Sequence, residues 1–322
     1  MQKNVLVLSA GRRVELVQSF QHDLTSLIEN GKVFCTDMNP IASPACQVAD
    51  GAFAVPRVTH NDYINIIFAL CVDHNIGLVV PTIDTELELL SRHKEKFAAS
   101  GIHLLISSET LIKECRDKRL TAALFDRLNV AQPKILDKSN LSFPCFCKPY
   151  DGSCSQGAYP LMQENDLTSD MLDNPKNMFM ELVPKSYCEY TIDGYYTKSG
   201  ELKCLVPRKR IEVRGGEVSK GLTKKHFVYD YLLSRVSTLE GACGCITFQL
   251  FVNEETQSIR GLEINPRFGG GYPLAYSAGA TFPKWLIMEY LLEQDVPFYD
   301  GWSQNLLMLR YDAKVLVNDY QE

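Results

Sequence analysis

One change of pattern limits the possible folds more than any other feature of this chain. Up to about residue 108, short apolar runs alternate with segments whose apolar residues recur at helical spacing. Beyond Pro133, the chain consists mostly of strand-like segments separated by polar or glycine-rich turns. Alternating strands and helices predict a parallel sheet in a Rossmann-like order, whereas successive strands predict antiparallel sheets. We therefore expect an α/β domain followed by an α+β part.

Two predicted helices in the first half have boundaries that can be tested. A single helix is predicted over residues 84–101, and a second one over residues 109–129 that is broken or capped again at Asp117. Thr82, Asp84 and Glu86 follow a buried strand, where they either face a ligand or cap the helix. Gly11 and Arg12 likewise either contact an anion or form only a tight turn.

Charge and cysteine content exclude several classes of protein. The net charge of -6 argues against a nucleic-acid partner, and no apolar run reaches the ~18 residues that span a membrane. The N-terminal segment resembles a first buried strand rather than a signal peptide. Eleven cysteines without a framework spacing favour free thiols in a reducing cytoplasm. The pairs Cys145/Cys147 and Cys243/Cys245 could each present two thiolates, but buried core positions are the more ordinary interpretation.

The segment GLEINPRFGGG, residues 261–271, carries the most specific chemical signal. Alternation along a strand places Glu263, Asn265 and Arg267 on one face, and Gln249 lies on the preceding strand across the polar turn NEETQS. Carboxylate and amide oxygens on adjacent strands suit Mg²⁺, and an arginine beside them can grip phosphate oxygens in a bidentate manner. The three glycines would let a substrate approach the backbone. The alternative is a solvated surface hairpin.

Two further segments favour a bound nucleotide. Lys148 ends a short apolar strand, and the glycine- and serine-containing loop YDGSCSQGAY follows it, so that hydroxyl and N–H groups could cover phosphates. This is not a Walker A sequence, because the lysine precedes the loop. In FMELVP, residues 179–184, an apolar strand running into a proline can present backbone groups to an adenine.

These motifs, in this order, resemble those of the ATP-grasp superfamily, in the branch similar to the large subunit of carbamoyl phosphate synthetase and related carboxylate–amine ligases. The resemblance covers nearly the whole chain. It implies a Rossmann-like pre-ATP-grasp domain over residues 1–110, an ATP-grasp subdomain with the phosphate loop over 111–185, and one with the metal-binding hairpin over 186–322. Cys154 departs from the family pattern, since relatives usually have a glycine at this position of the loop.

The resemblance also implies a role for individual residues. Glu181, Leu182 and Val183 would meet adenine, and Glu189 the ribose. Gln249, Glu263 and Asn265 would hold Mg²⁺ or Mn²⁺, and Arg267 would hold phosphate or the reacting carboxylate. The residues implied to contact the phosphates of ATP are Lys118, Lys148, Ser153, Ser155 and Gly157.

One further basic segment is predicted to line the same cavity. Arg208 and Arg210 share a strand face and Lys209 lies on the other, so one face either binds an anion, Arg210 above all, or is a solvated basic strand. Lys220 and His226 are predicted to lie in a flexible loop.

The implied activity is ATP- and Mg²⁺-dependent ligation of a small-molecule carboxylate to an amine through an acylphosphate, with a homodimer as one possible assembly. Two alternatives are an ATP-binding regulatory protein and a phosphotransferase that stops at a phosphorylated product. A nicotinamide-dependent dehydrogenase is excluded by the missing glycine fingerprint.

Overall fold

The computed structural model describes residues 3–152, 156–318 and 320. The chain begins with a parallel sheet in the order β3-β2-β1-β4-β5, which is the predicted Rossmann-like arrangement. Its strands are β1 (Asn4–Val7), β2 (Val33–Asp37), β3 (Gly51–Ala54), β4 (Ile76–Val80) and β5 (His103–Leu104). Its helices are α1 (Val14–Leu27), α2 (Pro44–Val48), α3 (Tyr63–Asp73), α4 (Asp84–Ser91) and α5 (Lys94–Ala98). Val5 and Val7 pack into one core and Leu6 into another, so β1 is buried on both faces.

The prediction of a single helix over residues 84–101 was wrong. The chain forms α4 and α5 instead, separated at Arg92 and His93. His93 Nδ1 lies 2.9 Å from the Leu89 carbonyl oxygen, the acceptor that the backbone N–H of residue 93 would use in an unbroken helix. The backbone N–H of His93 donates to Leu90 O instead, at 3.0 Å, which tightens the chain and ends α4.

The predicted second capping at Asp117 is confirmed. Helix α6 (Glu109–Arg116) ends at this residue and α7 (Lys118–Arg127) begins directly after it. The Asp117 side chain accepts a hydrogen bond from the backbone N–H of Arg119 at 2.9 Å. Lys118 is therefore the first residue of a new helix.

A small antiparallel sheet follows, in the order β6-β9-β7-β8. It contains β6 (Ile135–Leu136), β7 (Cys145–Pro149), β8 (Tyr159–Leu161) and β9 (Asn177–Glu181), with the short helix α8 (Ser169–Asp173) beside it. Cys145 and Cys147 are fully buried in its core with Leu161 and Phe179. The interpretation of this cysteine pair as core residues is confirmed.

The last part is a six-stranded antiparallel sheet in the order β14-β13-β10-β11-β12-β15. Its strands are β10 (Cys188–Tyr196), β11 (Leu202–Arg214), β12 (Glu217–Thr223), β13 (Gly244–Asn253), β14 (Ser258–Asn265) and β15 (Leu307–Leu309). Its helices are α9 (Phe227–Val236), α10 (Tyr272–Ser277) and α11 (Phe282–Leu291). Cys243 and Cys245 are buried here, again as core residues.

The prediction of a flexible loop around Lys220 and His226 was wrong. Lys220 lies on β12 and pairs with Glu212 at 2.7 Å. His226 directly precedes α9 and stacks on Tyr190, with the ring centroids 5.3 Å apart. The buried positions of α9 recur at helical spacing, so the sequence did contain the signal: Val228, Tyr229, Leu232 and Val236.

The three sheets lie within residues 4–104, 135–181 and 188–309. The boundaries at residues 110 and 185 stay a proposed division, since one hydrophobic core takes residues from both the first and the third sheet. Among the described residues, no helix is both long and apolar enough to cross a membrane.

Candidate functional site

A cavity of about 650 Å³ is lined by strand residues of both antiparallel sheets and, from the first part of the chain, by residues of helices α4, α6 and α7 and of the loop before α1. Most of the residues that the sequence singled out line it. They are Lys118, Lys148, Glu181, Leu182, Val183, Glu189, Arg210, Gln249, Glu263, Asn265 and Arg267. Gly157 is not among the lining residues, and its φ of +69° serves a turn against Pro149. Ser153, Cys154 and Ser155 lie outside the described residues.

The β13–β14 hairpin brings the three predicted oxygen donors together. Gln249 is opposite Glu263 in the strand register, and Asn265 Nδ2 donates to Glu263 Oε1 at 3.1 Å. One carboxylate and two amide groups form a set of oxygen donors that fits a hard divalent cation, with room left for the oxygens of a ligand. The described residues contain no group of three or more His, Cys, Asp or Glu side chains that could hold a metal ion, so a cation at this hairpin would take further oxygen ligands from a bound molecule or from water.

Arg267 joins the hairpin to the first sheet. Its Nε donates to Asp84 Oδ1 at 3.1 Å and its Nη2 to Asp84 Oδ2 at 2.8 Å, across 183 positions of sequence. Burial alone would lower the pKa of Arg267, but Asp84 outweighs it and the pKa is raised. Asp84 lines the cavity at the start of α4 and so positions this arginine.

Glu86, in contrast, is a structural residue. Its fully buried carboxylate accepts hydrogen bonds from Thr82 N, Ile83 N, Ser9 Oγ and Tyr63 OH, at 2.8 to 3.3 Å. Burial is the main cause that raises its pKa. Of the two interpretations open for this segment, capping fits Glu86 and a place in the cavity fits Asp84.

Two lysines add positive charge to the cavity lining. Lys118 Nζ donates to Gly152 O at 2.5 Å. Lys148 is 7% exposed, and burial together with the charge of Lys118 lowers its pKa to about 8. No ion pair among the described residues includes either lysine. Two neighbouring cations that lack acidic partners form a site for an anion.

The wall between the lysines and the hairpin is largely apolar, with Phe146, Met180, Phe251 and Leu262 among its residues. The backbone N–H of Glu181 donates to Lys134 O at 2.9 Å, and its carboxylate accepts from Lys134 N at 3.0 Å. These two hydrogen bonds to Lys134, the residue directly before β6, fix the position of the end of β9.

Strand β11 has the predicted distribution of charge. Arg208 and Arg210 line the cavity, whereas Lys209 points away and pairs with Glu254 at 2.6 Å. Arg210 pairs with Glu189 at 2.7 Å. Arg208 is 1% exposed, so the alternative of a solvated basic strand is wrong for this residue.

All three glycines of the run line the cavity, and the space beside two of them is taken by side chains of the protein itself. A side chain at Gly270 would meet the Glu217 carboxylate at 1.8 Å, and one at Gly271 would meet Arg208 Nη1 at 2.4 Å. The glycines therefore accommodate the protein's own charged side chains, which pack directly over the backbone.

The sequence analysis also missed Arg13 and Glu217, which line the cavity, and of the two interpretations left open for Gly11 and Arg12 the tight turn fits the structure. Arg12 is exposed, and the Gly11 N–H donates to Asp37 Oδ2 at 3.1 Å. The sequence did contain a signal for Arg13, because it is the second basic residue of the same segment. Glu217 had no signal, because its position depends on how β12 packs over the glycine run.

We expect Gly271→Ala to lower the free energy of unfolding by about 1–3 kcal/mol and Gly270→Ala to lower it by less. The added methyl at position 271 meets Arg208, which a buried ion pair holds in place, whereas the one at position 270 meets the mobile end of Glu217. Urea unfolding of both variants measures this difference. Equal losses would mean that Arg208 moves as freely as Glu217.

Comparisons with known proteins agree with this architecture. A family model described as "PylC-like, N-terminal domain" matches residues 5–105. A second, described as "ATP-grasp in the biosynthetic pathway with Ter operon", matches residues 173–305. No curated protein sequence matches the chain.

Solved structures share the fold at low sequence identity. The biotin carboxylase domain of 2-oxoglutarate carboxylase from Hydrogenobacter thermophilus, in complex with MgADP, ADP and bicarbonate, has a TM-score of 0.73 at 16% identity, covering 95% of this chain and 73% of that one. An ADP complex of N5-carboxyaminoimidazole ribonucleotide synthetase has a TM-score of 0.71 at 14% identity, covering 92% and 79%. For the L-amino acid ligase from Bacillus licheniformis the TM-score is 0.66 at 14% identity, with coverages of 90% and 74%. At such identities the similarity shows a shared fold.

Proposed function

We propose that this chain, which belongs to the ATP-grasp superfamily, is an ATP- and Mg²⁺-dependent ligase. It would activate a small-molecule carboxylate as an acylphosphate, which an amine then attacks, with release of ADP and phosphate. The observation that carries the proposal is the convergence in one cavity of the oxygen donors on the hairpin, the anchored Arg267 and the two unpaired lysines. A nucleotide, a divalent cation and a carboxylate each have a complementary group there.

The nucleotide would lie between the two antiparallel sheets. The backbone of residues 181–183 and the apolar wall would hold adenine, and Glu189 the ribose. Lys118 and Lys148 would hold the phosphates as fixed positive charges, and Ser153, Ser155 and Gly157 of the segment that follows Lys148 would contribute hydroxyl and N–H groups. Gln249, Glu263 and Asn265 would hold Mg²⁺, or Mn²⁺ with the same donors. The bound cation supplies neutralisation of charge between the phosphates and the incoming carboxylate.

Arg267 and Arg210 are the catalytic residues in this proposal. Asp84 occupies one edge of the guanidinium of Arg267, and Nη1 donates to Phe268 O at 3.2 Å, so two N–H groups remain that would serve the carboxylate and the γ-phosphate. A preorganised guanidinium there stabilises charge that develops as the phosphoryl group moves. Arg210 would contribute from β11 while Glu189 holds it in place.

We expect nucleotide binding to take up protons near pH 8. In the free protein the pKa of Lys148 is about 8, below the ordinary 10.5, so folding stability rises as pH increases between these values. Phosphate beside Lys148 raises its pKa again, so binding at pH 8 takes up about half a proton. Calorimetric titration with Mg-ADP in buffers of different ionisation enthalpy measures this uptake.

The matched variants are Lys148→Arg and Lys176→Arg. An arginine at position 148 stays charged at every pH of the titration, so the uptake is expected to vanish while binding persists. Lys176 belongs to the same sheet region and pairs with Asp151 at the surface, so its variant keeps the uptake. Uptake that survives in Lys148→Arg would assign it to another group.

Hydroxylamine trapping tests the proposed function. The protein is incubated with Mg-ATP, hydroxylamine and pooled small carboxylates, and ADP and hydroxamate are measured together. Both are expected with at least one pool and in equal amounts. ADP with a stable phosphorylated product instead of hydroxamate would indicate a phosphotransferase. Binding of Mg-ATP without turnover in every pool would favour the regulatory ATP-binding protein.

A further inference from the structure

Charged side chains crowd the end of the cavity next to the glycine run, and most of them are paired. Arg267 pairs with Asp84 at 2.8 Å, Arg208 with Asp193 at 2.7 Å, and Arg310, behind the glycines, with Glu15 at 2.9 Å. Two charged residues that line this end of the cavity, Arg13 and Glu217, are not part of these pairs. No ion pair among the described residues contains either of them, although they carry opposite charges.

Arg13 is a cation with little support from its surroundings. It lies directly before α1, and its Nη2 donates to the Thr82 carbonyl oxygen at 3.2 Å. Burial lowers its pKa to about 10 and the charge of Arg267 contributes in the same direction, against the charges of Glu217 and Asp84, which raise it. A half-buried guanidinium of this kind gains from an anionic ligand more than a solvated one would.

Glu217 is the complementary anion. It begins β12 after two glycines of positive φ, and its carboxylate rests on the backbone of Gly270, where a side chain would displace it. No side-chain hydrogen bond among the described residues involves this carboxylate. The charge of Glu217 acts on Arg13 and Arg267 without a hydrogen bond to either. The fold thus keeps space clear for a carboxylate that is free to bond a ligand, and a carboxylate facing a cavity in this way favours a cationic one.

We propose that Arg13 and Glu217 form the subsite of the amine acceptor, and that this acceptor is a free amino acid. Arg13 binds its carboxylate and Glu217 binds its ammonium group. This inference rests on the proposed function and narrows it, because ammonia, simple amines and amino-acid amides each lack one of the two charges. The carboxylate bound at Arg13 lies at the first-sheet end of the cavity, away from the lysines, and is not the one that is activated.

Thermal unfolding of the protein saturated with Mg-ADP tests the subsite without turnover. The probes are three pools built on the same side chains: free L- and D-amino acids, their C-terminal amides and their N-acetyl derivatives. Only the free amino acids are expected to raise the melting temperature, and the responding one is then titrated. Arg13→Gln and Glu217→Gln are each expected to weaken its binding ~10- to 100-fold, the range for one hydrogen bond to a charged group.

The two variants should also change selectivity in opposite directions. Arg13→Gln should bind the amide as well as the acid, and Glu217→Gln should bind the N-acetyl derivative as well as the free amino acid. Arg12→Gln and Glu212→Gln are the matched controls, since both side chains are exposed and neither lines the cavity. Gly270→Ala moves the Glu217 carboxylate without removing its charge and should weaken binding as Glu217→Gln does.

Three results would overturn the inference: equal shifts with all three pools, no shift with any amino acid while Mg-ADP binds, or wild-type selectivity in Arg13→Gln and Glu217→Gln. In that last case Glu217 would only balance the charges of Arg13 and Arg267. Hydroxylamine trapping distinguishes a failure of the amino-acid subsite from a failure of the proposed ligase activity. Hydroxamate formation combined with any of these results removes the amino-acid subsite and leaves the ligase. Absence of both Mg-ADP binding and hydroxamate removes the ligase and the subsite with it.

Discussion

Replacing Glu263 by glutamine is expected to reduce ADP formation by about 100- to 1,000-fold, the range found when one preorganised electrostatic contact to a reacting group is lost. Glu263 is the only carboxylate of the proposed metal set within the described residues, and its Oε1 accepts from Asn265. The amide keeps the volume and one oxygen but removes the charge that offsets the cation. We also expect a higher Mg²⁺ concentration for half-maximal rate, measured by coupled ADP assay over a range of Mg²⁺ concentrations.

The matched control is Glu255→Gln, in the exposed turn of the same hairpin. This variant makes the same chemical change eight positions earlier in the sequence. It should leave both the rate of ADP formation and its Mg²⁺ dependence at wild-type values. If Glu263→Gln retained more than about a tenth of the rate, the principal cation ligand would have to lie elsewhere.

The hairpin was predictable because each step of the inference was local. Alternation along β14 and the polar turn NEETQS place Glu263 and Asn265 on one face opposite Gln249, and the observed register agrees. The same holds for β11, where the two-residue period separates Arg208 and Arg210 from Lys209. Period and turn chemistry determine which face a side chain occupies.

Contacts between distant segments were not predictable in this way. The Arg267–Asp84 pair joins the segment after β14 to the start of α4, and no local sequence pattern predicts it. The glycine run was assigned to a substrate because the sequence does not show what packs over it, and Glu217 and Arg208 do so. The break at His93 has a similar cause, because a side-chain contact there competes with a helix that the periodicity favours. Such features depend on tertiary packing, which the sequence pattern records only indirectly.

Replacing Asp193 by asparagine is expected to lower the free energy of unfolding by about 3–5 kcal/mol, the cost of leaving a buried charge without its partner. Asp193 is fully buried on β10, and its Oδ2 and Oδ1 accept from Arg208 Nε and Nη2 at 2.7 and 3.0 Å. The asparagine keeps the shape but leaves the guanidinium uncompensated in the core of the sheet. Urea unfolding measures the loss.

Two companion variants separate the pair's own contribution from the cost of a lone charge. Asp312→Asn breaks the exposed pair with Arg214, and we expect little or no change in the free energy of unfolding from it. The double variant Asp193→Leu/Arg208→Met replaces the buried pair with apolar side chains, so most of the stability should return. If the double variant were as unstable as Asp193→Asn, the ion pair itself would stabilise the sheet. If instead stability returned while ADP formation did not, Arg208 would be needed in the cavity, and the buried pair would be a means of holding a cation beside the glycine run.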